Sequence, residues 1–512
     1  MLDLLAAAAL SLGGQTAETA PAAATAEHCG ALSKQLGSEF GAVESVAVAA
    51  SGEDPAYCKV SGTILPTITF EMRLPIGNWN GKYYQAGCGG FCGNVITGGP
   101  AYSNSIVTAT RRGYAAIATD NGHRGSSPGD ASWAQGNPQG LDLFKGKWIP
   151  LTYAAGTSIV RAFYGQQPRL HYFVGCSNGG RAALVAAQRY PTLFQGIISG
   201  CPVINMTKSG GILGSWMNKV NLKDGKPVLT SDFVRKLPFL ERQAIKQCDA
   251  RDGKRDGLIS QPYGCRINFS AIKSCPVGQS GSETADDCLT ADEKSVVAKW
   301  YQGPVDSKGR KLLAGFPVGS ESYWNFWYLR GMNQARGNDL AGGFLRYLAF
   351  DGTRPTMTGA DFDFDKDPAK LEPLARELDP TNPDLSAFDN AGGKLIMWHG
   401  MADPLSVPYQ SVTYYQSVLR RMGGAARVQK FFRYFLAPGL GHCWEAASPT
   451  APEEFDPLTP LETWVEKGRA PDQIIATPSS RQGALPVSKV VYRPYPQMPK
   501  SLAADNGGAV SQ

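Results

Sequence analysis

The chain has 512 residues, more than the roughly 250–300 that one hydrophobic core usually organises, so we expect a core domain with a large insertion or a second domain. Charged residues make up 18% of the chain, and the formal net charge is +6. This mild charge, without a block of Lys or Arg, argues against nucleic acid as a partner. The 11 cysteines have local spacings that suggest pairs and hence an oxidising compartment.

Residues 1–25 are predicted to be a signal peptide or leader. A short apolar run, Leu4–Leu12, is followed by mostly small residues through Ala26. This order is typical of the apolar segment and cleavage zone of a signal peptide, although the positively charged start is missing. No later run of about 18 apolar residues occurs, so we expect no membrane-spanning helix. Together with the cysteines, this predicts a secreted or periplasmic protein.

Predicted strands alternate with predicted helices in two parts of the chain. In the first strand, Ile68, Phe70, Met72 and Leu74 occupy every second position, which is typical of a half-buried strand. Strands that alternate with helices predict a mostly parallel, doubly wound sheet and hence an α/β fold. The other predicted elements are strands at Tyr83–Ala86, Tyr114–Ala118, Leu170–Val174, Phe194–Ser199, Lys394–His399 and Gln429–Leu436, and helices at Ala154–Tyr164 and Pro408–Met422.

The alternation disappears between about Met206 and Pro380. This stretch is rich in Gly, Pro, Asp and aromatic residues, and it holds four of the cysteines. We therefore predict a core domain formed by residues 26–203 and 381–512. Residues 204–380 would form a lid domain that is inserted between two strands of the core.

A pentapeptide, Gly-Cys-Ser-Asn-Gly at residues 175–179, follows the predicted strand that ends at Val174. A serine in the centre of G-x-S-x-G at a strand-to-helix junction sits on a tight turn that exposes its hydroxyl. Ser177 is therefore the predicted nucleophile. The backbone N–H of Asn178 would donate to the oxyanion, and the second donor is predicted to be Gly89, in a glycine-rich loop after an earlier strand.

The base and the acid follow from chain order. A serine hydroxyl needs an imidazole beside it, and a carboxylate to orient that imidazole. In the α/β-hydrolase order Ser…Asp…His the base comes last, which selects His442 from the five histidines. Asp403 follows the predicted strand at Lys394–His399 and is the matching acid. His399 is a competing base, but it precedes the acid, so we predict a supporting or packing role for it.

Two cysteines flank the predicted nucleophile and base. A bridge between Cys176 and Cys443 would tie the two catalytic loops together; the alternative is two buried thiols near the site. Local spacing suggests four further pairs and leaves Cys201 as a buried thiol outside any disulfide. The local pairs are Cys29–Cys58, Cys88–Cys92, Cys248–Cys265 and Cys275–Cys288.

A short acidic turn in the predicted lid suggests a metal site. Asp249, Asp252 and Asp256 lie in one glycine-containing turn, bracketed by Cys248 and Cys265. Hard oxygen ligands in a flexible loop suit Ca²⁺, whereas the turn has no histidine or thiolate for zinc. We predict a structural calcium site, with a solvated acidic turn as the alternative.

These motifs together resemble the tannase/feruloyl esterase family. The resemblance extends from about Cys29 to Tyr495. The residues that carry it are Cys-Ser at 176–177, His-Cys at 442–443, Gly-Cys-Gly-Gly-Phe at 87–91, Thr-Asp-Asn-Gly-His at 119–123 and Cys-Asp-Ala-Arg-Asp-Gly at 248–253.

The resemblance implies an α/β-hydrolase core with a lid that holds Ca²⁺. It implies a disulfide that joins the Cys-Ser and His-Cys pairs. In the lid it implies Asp249, Asp252 and Asp256 as side-chain ligands of the metal. Lys254 and Leu258 would then donate backbone carbonyls.

The implied activity is hydrolysis of esters of aromatic acids by a serine esterase. Feruloyl esterase-like action on hydroxycinnamic esters is the first expectation, with galloyl esters or mono-hydroxyethyl terephthalate as alternatives. A serine peptidase of the same core fold, or a non-catalytic calcium-dependent binding protein, are the rival classes. We expect a monomer whose partner is a small aromatic ester.

Overall fold

A nine-stranded sheet forms the centre of the protein in the computed structural model, which describes residues 24–99, 102–279, 284–329, 340–443, 452–477, 489–497 and 500–501. The strands at one edge are antiparallel, and the remaining six run parallel to one another. Across the sheet they are β1 (Phe40–Val48), β2 (Tyr57–Ile64), β3 (Ile68–Pro75), β5 (Ala115–Thr119), β4 (Lys82–Ala86), β6 (Leu170–Cys176), β7 (Gly196–Gly200), β10 (Lys394–Gly400) and β11 (Phe432–Ala437).

Helices cover both faces of the sheet, so the predicted doubly wound arrangement is confirmed. On one face, α4 (Trp148–Tyr164), α5 (Asn178–Arg189) and α12 (Pro408–Arg421) pack in one hydrophobic cluster with the strands. On the other face, α14 (Leu458–Lys467) packs against β7 and β10. Burial on both faces explains why the parallel strands are almost continuously apolar. β3 alternates as predicted, because only one of its two side-chain rows is fully buried.

Three elements start two or more residues away from the predicted position. The helix predicted to start at Ala154 begins at Trp148, directly after a turn in which Gly146 has a φ of 137°. The strand predicted from Phe194 begins at Gly196. The strand predicted from Gln429 begins later, at Phe432, because the residues before it complete a short helix, α13 (Ala425–Val428).

The chain between β7 and β10 contributes no strand to the central sheet in its described residues. It has a hydrophobic core of its own, with Leu240, Val297, Trp300 and Trp324. The division into two domains at residues 204 and 380 stays a prediction. The elements of this part are α6 (Gly214–Val220), β8 (Leu222–Lys223), β9 (Lys226–Pro227), α7 (Leu237–Cys248), α8 (Ala291–Gln302), α9 (Glu321–Trp324) and α10 (Asp367–Leu378).

Short elements complete the fold. Residues 1–23 of the predicted leader lie outside the described residues. Among the helices that the structure describes, none combines the length and the apolar character needed to cross a membrane. The remaining elements are α1 (Ala26–Leu32), α2 (Val107–Arg111), α3 (Pro138–Asp142), α11 (Ser386–Asn390) and a small sheet of β12 (Ile474–Ala476), β13 (Val490–Tyr492) and β14 (Lys500–Ser501).

Five disulfides occur among the described residues: the four local pairs that the spacing suggested, and the long-range bridge between Cys176 and Cys443, for which two buried thiols were the alternative. Cys201 is buried and belongs to none of them. The pairs are Cys29–Cys58, Cys88–Cys92, Cys176–Cys443, Cys248–Cys265 and Cys275–Cys288.

Candidate active site

Ser177 occupies a strained turn between β6 and α5. Its φ of 62° and ψ of −123° lie in a region that non-glycine residues rarely adopt. Two backbone hydrogen bonds hold the turn: the Ser177 N–H donates to the Gly200 carbonyl at 3.0 Å, and the Arg181 N–H donates to the Ser177 carbonyl at 2.9 Å. Strain of this kind persists where the surrounding structure enforces it, and it is common at catalytic residues.

Glycines let this turn pack against the neighbouring strand. A Cβ on Gly175 would lie 2.5 Å from the backbone of Gly179, and a Cβ on Gly87 would lie 2.5 Å from the Gly179 Cα. Distances this short exclude any side chain. The outer glycines of the pentapeptide, and the first glycine of the oxyanion loop, are therefore required by packing.

Asp403 and His442 form a buried hydrogen-bonded pair beside this turn. The His442 Nδ1 lies 2.7 Å from the Asp403 Oδ2, so Nε2 is the ring nitrogen that faces away from the acid. The other carboxylate oxygen accepts the backbone N–H groups of Leu405 and Ser406 at 2.8 and 2.9 Å. Burial tends to raise the pKa of Asp403, but His442 and His399 outweigh it and hold that pKa well below its usual value.

His399 lies against the same carboxylate. Its Nε2 is 3.1 Å from the Asp403 Oδ2, and its Nδ1 is 2.7 Å from the Ser411 Oγ. The ring is completely buried and does not line the cavity that Ser177 and His442 share. This geometry supports Asp403 and leaves His442 as the histidine that faces substrate.

Asn178 begins α5, and its side chain connects the two predicted oxyanion donors. Its Nδ2 lies 3.4 Å from the Cys88 carbonyl and 3.1 Å from the Cys92 sulfur. Its Oδ1 accepts a hydrogen bond of 2.7 Å from the guanidinium of Arg181, which is fully buried. The helix start is thereby fixed to the loop that holds Gly89. Sequence reasoning missed Arg181, which no local motif marks.

The loop with Gly89 is held from the outside as well. The Phe91 N–H donates to the Pro128 carbonyl, and the Phe91 carbonyl lies 2.7 Å from the His123 Nε2. Burial lowers the pKa of His123 to about 4, so the ring is neutral at pH 7 and Nε2 carries the proton that it donates. Asn104, also missed from the sequence, bridges the Cys176 N–H and carbonyl at 3.0 Å each. The contacts of Phe91 hold the loop with Gly89, and those of Asn104 hold the end of β6 next to Ser177.

A cavity of about 400 Å³ opens over Ser177, His442 and Gly89. Its far wall comes from the inserted region. The Trp327 ring meets the His442 ring edge to face, with the centroids 5.5 Å apart. Apolar walls with a few convergent polar groups are typical of small-molecule sites. The apolar side chains of the wall include Val203, Met206, Phe326, Trp327, Leu340, Phe344 and Leu405.

The histidine loop is fixed by the inserted region and by a disulfide. The Tyr323 hydroxyl donates to the Gly439 carbonyl at 2.8 Å, and a Cβ on Gly441 would lie 2.3 Å from the Tyr323 ring. The disulfide between Cys176 and Cys443 joins this loop to the serine turn, with a Cα–Cα distance of 5.9 Å. The serine and histidine loops are therefore joined covalently.

The acidic loop after α7 is folded around its own carboxylates. Asp249 accepts the N–H groups of Asp256 and Gly257, and Asp252 accepts that of Lys254. Burial raises the pKa of Asp249, and the charges of Asp256 and Asp252 raise it further. Three carboxylates that repel one another, with carbonyls beside them, form a donor set that suits Ca²⁺.

The carboxylate oxygens of Asp249, Asp252 and Asp256 do not lie close enough together to surround one cation in the described structure. In the described ranges, a single group of three Cys, His or acidic side chains has all its ligand atoms within 4.8 Å, and it consists of Cys201, Asp403 and His442. That group belongs to the candidate active site. Binding of a cation in the acidic loop therefore requires its side chains to turn towards one another.

Comparison with known proteins shows the family of this chain. The family model for tannase and feruloyl esterase matches residues 50–511. The chain is 34% identical to an uncharacterized esterase of Xanthomonas campestris pv. campestris, over 82% of this chain and 77% of that protein. It is 32% identical to the mono(2-hydroxyethyl) terephthalate hydrolase of Piscinibacter sakaiensis, over 84% and 79% of the two chains.

A solved structure shares the whole fold. The crystal structure of feruloyl esterase B from Aspergillus oryzae superposes with a TM-score of 0.77 at 23% identity, covering 92% of this chain and 96% of that one. With the match of the family model to most of the sequence, it follows that this chain is a carboxylic ester hydrolase of the tannase and feruloyl esterase family.

Proposed function

We propose that this protein is a secreted serine esterase that hydrolyses esters of hydroxycinnamic acids. The observation that carries the proposal is the convergence of Ser177 and His442 on one apolar cavity, with Asp403 bound behind the histidine. The five disulfides support an oxidising compartment, since such bonds persist outside the cytosol.

In the proposed reaction, His442 takes the proton of the Ser177 hydroxyl while Ser177 attacks the ester carbonyl. The N–H groups of Asn178 and Gly89 hold the oxyanion of the tetrahedral intermediate. His442 then gives its proton to the leaving alcohol, and an acyl-enzyme remains. Water attacks the acyl-enzyme as His442 accepts its proton, which releases the acid and restores Ser177. Asp403 orients the imidazole and stabilises its charged form.

The size and the lining of the cavity support an aromatic acyl group in the substrate. Its volume of about 400 Å³ and its wall of aromatic and aliphatic side chains suit a planar ring. The family contains feruloyl esterases and tannases by its description. The similarity to a mono(2-hydroxyethyl) terephthalate hydrolase makes the terephthalate monoester the second candidate substrate.

The test is a matched panel of esters with calcium present. It contains methyl ferulate, methyl gallate and mono-hydroxyethyl terephthalate, and it compares the wild type with Ser177→Ala. We expect the highest kcat/KM on the ferulate, and a loss of about 10⁴-fold or more in the variant. Ser103→Ala is the control, because this serine lines the same cavity. Activity retained by Ser177→Ala would overturn the nucleophile, and a preference for another ester would reassign the acid.

We also propose a structural Ca²⁺ in the acidic loop. Asp249, Asp252 and Asp256 would bind it through their side chains, and Lys254 and Leu258 through their carbonyls. The metal would hold together a loop whose carboxylates otherwise repel one another. The reaction proposed above does not involve it.

A further inference from the structure

The cavity wall carries a hydroxyl that neither the catalytic groups nor the oxyanion loop uses. Ser209 lines the cavity beside Met206, Gly210 and Gly214, on the first turns of the inserted region. Two other polar side chains of the described wall are engaged elsewhere: Asn104 binds the backbone of Cys176, and the Tyr328 hydroxyl donates to the Pro404 carbonyl. Besides Ser177, the wall then offers the hydroxyls of Ser103 and Ser209, and Ser209 is the one next to Gly210, against which Phe344 packs.

A rigid helical segment holds Ser209 in position. The segment, Thr207–Leu213, is anchored at its start by a hydrogen bond from the Thr207 hydroxyl to the carboxylate of Asp379. The Ser209 N–H donates to the Asn205 carbonyl at 2.9 Å. Gly210 lets Phe344 lie close, since a Cβ there would be 3.0 Å from that ring. The result is a flat, apolar wall with one hydroxyl at its edge.

Gln410 sets the direction of that hydroxyl. Although it lies 201 positions away in the chain, its Nε2 donates to the Ser209 Oγ at 3.0 Å. Because Oγ accepts this bond, the Ser209 proton is left to donate, and no described residue accepts it. Gln410 is only 5% exposed, and its Oε1 is buried without a partner among the described residues. An unsatisfied buried oxygen is unfavourable, and such violations concentrate where function requires them.

We propose that Ser209 determines specificity by donating a hydrogen bond to an oxygen substituent on the aromatic ring of the substrate, and that Gln410 is its positioning residue. A phenol or methoxy oxygen has the acceptor lone pair that this proton requires. A ring that lies flat against Gly210 and Phe344 brings its edge to Ser209. This inference rests on the proposed function, and it adds that ring-oxygenated acids are preferred over unsubstituted ones.

The test compares two esters that differ only in the ring oxygen. The kcat/KM of methyl 4-hydroxycinnamate is divided by that of methyl cinnamate for the wild type, Ser209→Ala, Gln410→Met and Ser103→Ala. We expect the ratio to fall about tenfold in Ser209→Ala, as for the loss of one neutral hydrogen bond, and about threefold in Gln410→Met. Ser103→Ala, which removes another hydroxyl of the same cavity, should keep the wild-type ratio.

A ratio that stays constant in Ser209→Ala while both esters react would overturn the inference and leave the proposed function intact. A fall in the rates of both esters by one factor would also overturn it, because a merely structural role has that effect. If the ratio changes in Ser103→Ala and stays constant in Ser209→Ala, the contact belongs to Ser103 and the inference about Ser209 is overturned. If the wild type hydrolyses neither ester, the proposed function fails and the inference fails with it.

Discussion

At the residue scale, the backbone and the side chain of Asn178 have different roles. Its backbone N–H begins α5 beside the nucleophile, while its side chain spans from Arg181 to the carbonyl of Cys88. Removing the side chain keeps the N–H but releases the loop that carries Gly89. The positions of the two proposed oxyanion donors, the N–H groups of Asn178 and Gly89, then become independent of each other.

We therefore expect Asn178→Ala to lower kcat about tenfold on the preferred ester and to leave KM within about twofold, because the lost contacts matter most when the oxyanion forms. Steady-state kinetics give the two constants separately. Asn178→Asp is the matched variant, since it keeps an acceptor for Arg181 and loses the Nδ2 donor. A wild-type kcat in Asn178→Asp would show that the contact with the glycine-rich loop is unimportant.

At the scale of elements, the acidic loop has little packing of its own to hold it. The disulfide between Cys248 and Cys265 closes it, and hydrogen bonds from its own N–H groups to Asp249 and Asp252 shape it. Few of its side chains are buried. A bound cation would therefore contribute directly to its folding.

Removal of calcium with a chelator should lower the melting temperature by roughly 5 °C, and added Ca²⁺ should restore it, because a ligand that binds only the folded state stabilises it by mass action. Scanning calorimetry measures the shift. Asp252→Asn should melt at the lower temperature with or without Ca²⁺. Asp224→Asn, a change at an exposed turn, should respond like the wild type. An equal melting temperature with and without chelator would contradict the metal site.

At the scale of the whole molecule, two buried carboxyl groups connect stability to pH. Burial raises the pKa of Glu321 to about 7 and that of Asp379 to about 6. Glu321 accepts hydrogen bonds from Tyr301 and Gly319 through one oxygen, whereas its Oε2 is buried without a described partner. Both groups lie in or next to the inserted region, so their ionisation acts on the structure that walls the cavity.

Whereas His123, whose folded pKa is lowered, contributes in the opposite sense, the stability that these two carboxyl groups contribute should fall as the pH rises from about 5 to 8. Within this window the folded protein still binds protons that the unfolded chain has released, because the folded pKa values are the higher ones. For Glu321 the full difference is of the order of 3 kcal/mol. From pH 5 to pH 8 the melting temperature of the wild type should therefore fall more, or rise less, than that of Glu321→Gln, which lacks this ionisation. An equal change of melting temperature in the two proteins would show that the ionisation of Glu321 does not affect stability.

Much of the candidate site could be predicted from the sequence because its motifs have local causes. Ser177 is recognisable because glycines must flank a turn that packs this closely, and His442 follows from chain order. Arg181 and Gln410 could not be predicted in this way. Each acts through partners far away in the chain, and neither belongs to a motif. The first strand, β1, was missed because most of its side chains are at least partly exposed and show no apolar alternation.

The sequence by itself determined the parallel α/β core, the turn that carries Ser177 and the four local cysteine pairs. These follow from side-chain periodicity, from the steric demands of glycine and from short spacings, all of which act over a few residues. Only the tertiary structure decided which wall the inserted region presents to Ser177 and which hydroxyl that wall exposes. Such contacts depend on how separate elements pack, and local patterns do not encode the distance between residues that lie 201 positions apart, such as Ser209 and Gln410.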